Sequence, residues 1–219
     1  MLVAAGRGER LGGKRPKAFA RLAGRPLLAE SLERLDSCDA VSAMVVVAPP
    51  GWEEPTILLA EELGSAKVSA VVPGGGRSRA ESVRIGVAEV PPEAEAIVVH
   101  DAARPLVTDM VVMRVLDALK EGWDGAVPGL PIADTVKRAP GGGVAETVDR
   151  TDLYAVQTPQ AFVAAVLVEA LAASSQDATD CAGYLEQAGR RVKVVEGDPA
   201  LRKITTVADL ATVEAELAR

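Results

Sequence analysis

Residues 1–17 read MLVAAGRGERLGGKRPK. Leu2, Val3, Ala4 and Ala5 make a short apolar strand that runs straight into a loop carrying Gly6, Gly8, Gly12 and Gly13. Arg7, Arg10, Lys14, Arg15 and Lys17 share that loop. Small residues let a backbone approach a ligand closely, and its N–H groups can then face an anion. Clustered cations imply a highly charged anion, as a triphosphate would be. The stretch therefore reads as a nucleotide loop at the end of a strand, to which later segments bring a second substrate.

Two phosphate-loop templates come close and fail. A dinucleotide fingerprint starting Gly6-x-Gly8 needs glycine at position 11, which is leucine. A P-loop ending at Gly13-Lys14 needs Ser or Thr next to hold magnesium; position 15 is arginine, and Pro16 blocks immediate continuation into a helix.

Downstream, the pattern alternates. A helix is expected after Gly24-Arg25-Pro26, with apolar positions at Leu27, Leu28, Leu32 and Leu35. Strands are expected at 41–48, 68–72, 96–100, 125–130 and 192–196, with a further extended piece at 201–205. Helices are expected at about 57–63, 80–89, 109–121, 161–173, 179–188 and 206–219. Nearly continuous apolar strands such as VSAMVVVA and AIVVH suit burial on both faces, and strand–helix alternation is the pattern of an open, mostly parallel α/β sheet. Residues 134–156 break the rhythm: two polar strands around a glycine turn, with one apolar face, too small to fold alone. Packing on a partner or lying back on its own domain both satisfy that reading.

The 219 residues, 48% hydrophobic but only 3% aromatic, suit one α/β domain with a core of Ala, Val and Leu. The longest apolar runs are too short to cross a bilayer, no cleaved signal is expected ahead of the first strand, and Cys38 and Cys181 lack metal-like spacing. A cytoplasmic protein with reduced thiols is expected. A net charge of −7 argues against a nucleic-acid surface, while cations gathered beside glycines and at strand ends suit a small anionic ligand.

The single histidine, His100, ends an apolar strand and reads as structural. No Ser–His–acid set or zinc spacing is present. What remains at the carboxyl ends of the expected strands is Arg10, Lys17, Arg104, Thr135, Arg150, Thr158, Thr179 and Lys203, where open α/β sheets bind ligands. Asp101 is the one carboxylate that ends a buried strand, placed for a ribose hydroxyl or a magnesium ion. Cations and hydroxyls without a base suit phosphoryl or nucleotidyl transfer to a nucleophile that is already anionic.

AAGRGERLGGKRPKAF resembles the opening of the nucleotidyltransferases. With VVHDAARPLV, DTVKR, TVDR, QTPQAF, ATD and KIT in this order, the chain closely resembles the 2-C-methyl-D-erythritol 4-phosphate cytidylyltransferases of the non-mevalonate isoprenoid pathway. The resemblance implies a Rossmann-like, three-layer α/β/α fold with a mostly parallel open sheet and a protruding β-arm. It also implies transfer of a cytidylyl group from CTP to a polyol phosphate, with Mg2+ held mainly by the CTP phosphates. Carried over, Arg10 and Lys17 stabilise the transition state. Ala4, Ala5, Gly6, Gly8, Gly76, Ser82, Asp101 and Ala102 surround the nucleotide. Asp101, Arg104, Thr135, Arg150, Thr158, Thr179 and Lys203 hold the methylerythritol phosphate, with Arg150 and Lys203 aiming its phosphate. The family forms homodimers through the arm, which makes Thr135 and Arg150 candidates for action in trans.

The chain departs from the family pattern at Val3 (usually proline), at Asp180-Cys181 (usually an acidic pair) and at Leu201-Arg202 (where an asparagine is usual). Rival readings are a cytidylyltransferase for another polyol phosphate, such as ribitol 5-phosphate, and a non-catalytic nucleotide-binding module. Retention of both Arg10 and Lys17 speaks against the latter.

Overall fold

In the computed structural model, residues 1–6, 8, 15–76, 78–174 and 176–218 are described. Arg10 lies outside them.

The central sheet contains β1 (Leu2–Val3), β4 (Met44–Ala48), β5 (Val68–Pro73), β6 (Ala96–Asp101), β7 (Gly125–Pro131), β10 (Tyr154–Val156), β11 (Gln160–Val163) and β12 (Val192–Glu196). β2 (Arg21–Leu22) and β3 (Arg25–Pro26) form a small separate hairpin. β1 lies between β4 and β6 and is parallel to both, β5 extends the β4 side, and β12 runs parallel to β7. β10 and β11 run antiparallel to β7, and β11 also pairs antiparallel with β6. The chain builds outward from β1 through β4 to β5 and then crosses to β6 on the other side. That switch point, between β1 and β6, is where open α/β sheets form a ligand crevice.

Alternation along the strands divides the core into layers. Leu2 and Val46 pack with Leu28 and Leu32 of α1 (Leu27–Ser37), Leu59 of α2 (Glu53–Glu62), and Val111 and Val112 of α4 (Asp109–Lys120). Ile97, Val99, Val127 and Phe162 pack on the opposite face with Val83 of α3 (Arg79–Ala88), Leu167 and Leu171 of α5 (Ala164–Ala173), and Tyr184 and Leu185 of α6 (Ala182–Gln187). α7 (Val207–Leu217) closes an edge through Val213, which packs with Leu22, Leu27 and Ile204. A full capping box starts that helix: Thr206 and Asp209 satisfy each other's backbone N–H groups. Apart from Tyr184 and Phe162, the largest fully buried side chains are mainly Leu, as the scarcity of aromatics requires.

The structure corrects three sequence readings. QAFV at 160–163 is not the first turn of a helix but strand β11, inserted between β6 and β7. Phe162 is completely buried there, and a Cβ on Gly125 would meet its ring at 2.7 Å. Tertiary packing overrides the helical preference of the alanine-rich segment that follows. The helix expected at 179–188 begins only at Ala182, because the Asp180 carboxylate accepts from Gly183 N and turns the chain first. The extended piece expected at 201–205 opens instead as a short 3-10 turn, Pro199–Leu201, capped by Asp198.

Residues 134–156 contain the expected hairpin. β8 (Val136–Arg138) pairs with β9 (Glu146–Val148) apart from the main sheet. β10 then returns to β7. Between the pairs Val156–Gly129 and Ala161–Ala126, the four residues 157–160 lie opposite two residues of β7, Val127 and Pro128, so the chain bulges on that side. Bulges of this kind re-aim side chains, and this one sits beside the carboxyl end of β6.

Candidate active site

Two cavities open at the switch point. The first, of about 300 Å3, is lined by the β1 exit (Val3, Ala4, Ala5, Gly6), Lys17, Gly75, Gly76, Ser78, Arg79, Ser82, Asp101, Ala102, Ala103 and Lys203, among others. The second, of about 220 Å3, is lined by Arg79, Asp101, Arg104, Gln157, Thr158, Gln160, Thr179, Asp180 and Lys203, with Val156. They share Arg79, Asp101 and Lys203.

Local chemistry shapes the first cavity. Ser78 caps α3 by accepting from Glu81 N at 3.1 Å, so the positive end of that helix borders the cavity and favours an anion. Ser82 Oγ accepts from Gly75 N at 3.1 Å and pins the glycine turn. A Cβ on Gly74 would lie 2.2 Å from that of Ala5, so the two loops meet only because this residue has no side chain. Gly8 has φ +70°, and a Cβ there would meet Lys17 Cβ at 2.6 Å. Glycine at position 8 thus lets its backbone lie against Lys17, which enters a 3-10 turn after Pro16 and lines the cavity.

Asp101 is the hub. Its backbone N–H donates to Thr158 Oγ1 at 3.0 Å, and its carbonyl accepts from Arg104 N at 2.9 Å. Arg79 donates from Nε and Nη2 to Oδ1, at 3.2 and 3.0 Å, and Lys203 Nζ donates to Oδ2 at 2.6 Å. Burial pushes the Asp101 pKa up, but Arg79 and Lys203 together outweigh it and hold the carboxyl well below the usual carboxylate range. The carboxylate is therefore ionised at neutral pH.

His100 is fully buried, and burial pushes its pKa down to about 4. Its Nε2 lies 3.0 Å from Arg104 O, a pure acceptor, so Nε2 carries the hydrogen. Nδ1 then accepts from the Thr158 hydroxyl at 3.1 Å. The imidazole is a neutral strut whose two nitrogens are both engaged.

Arg104 donates to the carbonyls of Leu201 (2.6 Å) and Val156 (3.4 Å), while its buried Nε has no partner among the described residues. Gln160 donates to Asp180 Oδ2 at 2.8 Å and accepts from Cys181 N at 3.2 Å, tying the bulge to the α6 entry.

Of the residues singled out from sequence, Ala4, Ala5, Gly6, Lys17, Gly76, Ser82, Asp101, Ala102 and Lys203 line the first cavity. Arg104, Thr158 and Thr179 join Asp101 and Lys203 at the second. Gly8 supports Lys17 without lining either cavity. Thr135 and Arg150 are exposed on the arm and line neither; Arg150 donates to Ile132 O at 2.6 Å. Lys17, Arg79, Arg104 and Lys203 outnumber Asp101 and Asp180 here, in a protein that is acidic overall. The arrangement suits two adjoining polyanions.

The model of the 2-C-methyl-D-erythritol 4-phosphate cytidylyltransferase family matches residues 1–219. The chain belongs to that family. It is 45% identical to the family enzyme of Streptomyces coelicolor, over all of this chain and 84% of that one. It is also 45% identical to that of Saccharopolyspora erythraea, over all of this chain and 98% of that one. The fold matches the crystal structure of the Thermus thermophilus enzyme with TM-score 0.81 and 32% identity, covering 100% of this chain and 98% of that one. A 4-diphosphocytidyl-2C-methyl-D-erythritol synthase from Anaerococcus prevotii matches with TM-score 0.84 and 26% identity, covering 100% and 96%. The Rossmann-like reading, with a mostly parallel sheet and helices on both faces, agrees with these structures.

Arg79, Gln157, Gln160 and Asp180 also line the second cavity, and no sequence motif alone assigns them a role. For Arg79 the available signal was a cation at a helix start just after three glycines. A buried Asp101 also needs a counter-ion. For Gln157 and Gln160 it was only their place in QTPQ.

Proposed function

We propose that the chain transfers a cytidylyl group from CTP to 2-C-methyl-D-erythritol 4-phosphate, releasing pyrophosphate, in isoprenoid precursor biosynthesis. The observation that carries this is the junction of two cationic cavities at Asp101, together with full-length membership of the family.

CTP takes the first cavity, its base and sugar against Ala4, Ala5, Gly6, Gly76 and Ser82, its ribose toward Asp101 and Ala102, and its triphosphate toward Lys17 and Arg10. The polyol phosphate takes the second cavity, with Arg104, Thr179 and Lys203 around it. Thr158 contributes to that wall through position, since its hydroxyl proton goes to His100.

A phosphate oxygen of the polyol phosphate attacks the α-phosphorus, the bond from that phosphorus to the bridging oxygen breaks, and pyrophosphate leaves. The nucleophile is already anionic, so no general base is needed, in keeping with a buried and neutral His100. What the protein supplies is alignment and cations that meet the charge developing on the pentavalent phosphorus.

Among the described residues no group of three His, Cys, Asp or Glu could hold a metal. Asp101 is the carboxylate on the nucleotide cavity, and both its oxygens already face cations. This donor set fits Mg2+ bound mainly by triphosphate oxygens, with Asp101 beside it; such an ion neutralises the phosphates and the leaving pyrophosphate.

No described helix is long and apolar enough to cross a membrane, and action in the cytoplasm is part of this reading. The arm carries exposed Val144, with half-buried Val136 and Val148, outside the main sheet. In this reading it packs on a second copy, and Thr135 and Arg150 serve the neighbour's site. Deleting 139–145 is expected to weaken the dimer, measured as a dissociation constant by analytical ultracentrifugation; an unchanged constant would refute the arm's role.

The activity is tested by identifying the organic product formed from CTP, Mg2+ and methylerythritol phosphate by mass spectrometry. CDP-methylerythritol is expected, and unreacted methylerythritol phosphate would reject the assignment.

A further inference from the structure

Arg79 opens α3 where the two cavities meet, and its pairing with Asp101 is unlike that of Lys203. Both cations face the same carboxylate, one on each oxygen. Arg79 is the more enclosed, its side chain 27% exposed against 41% for Lys203. It binds through two nitrogens, and its third, Nη1, lies 3.6 Å from Cys181 Sγ. That thiol is buried, so it brings Arg79 no second anion. Lys203 binds Asp101 through one nitrogen on a flexible stem. Of the two, Lys203 is the cation that can leave.

Leaving has a condition. A buried carboxylate stripped of its only cation is strongly unfavourable, whereas one that keeps a second cation is not. We infer that Arg79 is a positioning residue for the transfer: by neutralising Asp101 from the closed side, it lets the Lys203 ammonium turn from Asp101 to the phosphate of the polyol substrate. The inference rests on the reading of the second cavity as the polyol phosphate site. With a buried thiol at Cys181, Asp101 is the carboxylate that Arg79 meets among the described residues.

The test compares Arg79→Gln and Arg79→Lys with the unaltered enzyme, following pyrophosphate release while CTP and methylerythritol phosphate are varied separately. In Arg79→Gln, Lys203 becomes the one side-chain cation left on Asp101 among the described residues and is retained there. The KM for methylerythritol phosphate is expected to rise at least about tenfold, while that for CTP moves less than about threefold. Arg79→Lys keeps the charge and is expected to hold the KM for methylerythritol phosphate within about threefold of the unaltered value.

A purely structural role for Arg79 would raise both KM values together and would leave the Lys variant no better than the Gln variant; either result overturns the inference. Should Arg79→Gln fail to fold, Arg79→Lys decides alone, and a tenfold rise there overturns it. Absence of pyrophosphate release by the unaltered enzyme would instead reject the underlying functional reading, so the two failures are distinguishable.

Discussion

Replacing Lys17 by alanine is expected to lower kcat by about a hundredfold to a thousandfold while changing CTP affinity less than about tenfold. Lys17 lines the first cavity, proposed for the nucleotide, at the head of a short turn fixed by Pro16 behind it and by Gly8 in front. A cation held in that way is aimed before the substrate arrives. In the proposed reaction the triphosphate would already be neutralised in part by Mg2+ and by other cations in the ground state, so one ammonium would add modestly to binding. During attack the α-phosphorus becomes pentavalent and its oxygens gain charge, and the same ammonium then becomes worth more. Single-turnover rates and equilibrium CTP titrations separate the two effects. Equal losses in rate and affinity would show that Lys17 merely binds.

Lys203→Ala is expected to raise the KM for methylerythritol phosphate about a hundredfold, with CTP affinity nearly unchanged, because on the proposed reading it removes a charge-assisted contact to the substrate phosphate from a partly enclosed site. Asp101 keeps both Arg79 contacts in this variant, so folding should survive, and a thermal melt checks that point. Lys203 borders both cavities, which makes the direction of the effect informative. If CTP affinity fell as far as polyol phosphate affinity, Lys203 would belong to the nucleotide and the division of the site at Asp101 would be wrong.

Much of the fold could be read from the chain because its punctuation is strong. β4 and β6 are apolar runs closed by Pro49-Pro50-Gly51 and by Asp101, and the arm is framed by Gly141, Gly142 and Gly143. β11 could not be read in this way. QAFV runs directly into an alanine-rich helix, and only Gly125 and Ile97 across the sheet reveal it as a strand. The site divides similarly. Residues adjoining strand ends, such as Ala4, Gly6, Asp101 and Ala102, are placed by topology, and topology was legible.

Arg79 was not, because its meaning depends on a carboxylate on another strand that it meets only after folding. Arg104 shows the same limit from the other side. From sequence it is a cation for substrate, yet its guanidinium also ties down the carbonyls of Leu201 and Val156. No local pattern announces that burden. Nor could the sequence foresee the bulge at 157–160, which arises from a mismatch in length between β7 and the strand beside it.

The most direct test of the account is substrate selection at the second cavity. Purified protein is given CTP and Mg2+ with either 2-C-methyl-D-erythritol 4-phosphate or ribitol 5-phosphate, and pyrophosphate release is followed for each. The account predicts rapid release with methylerythritol phosphate and little with ribitol phosphate. Release with ribitol phosphate alone would contradict it.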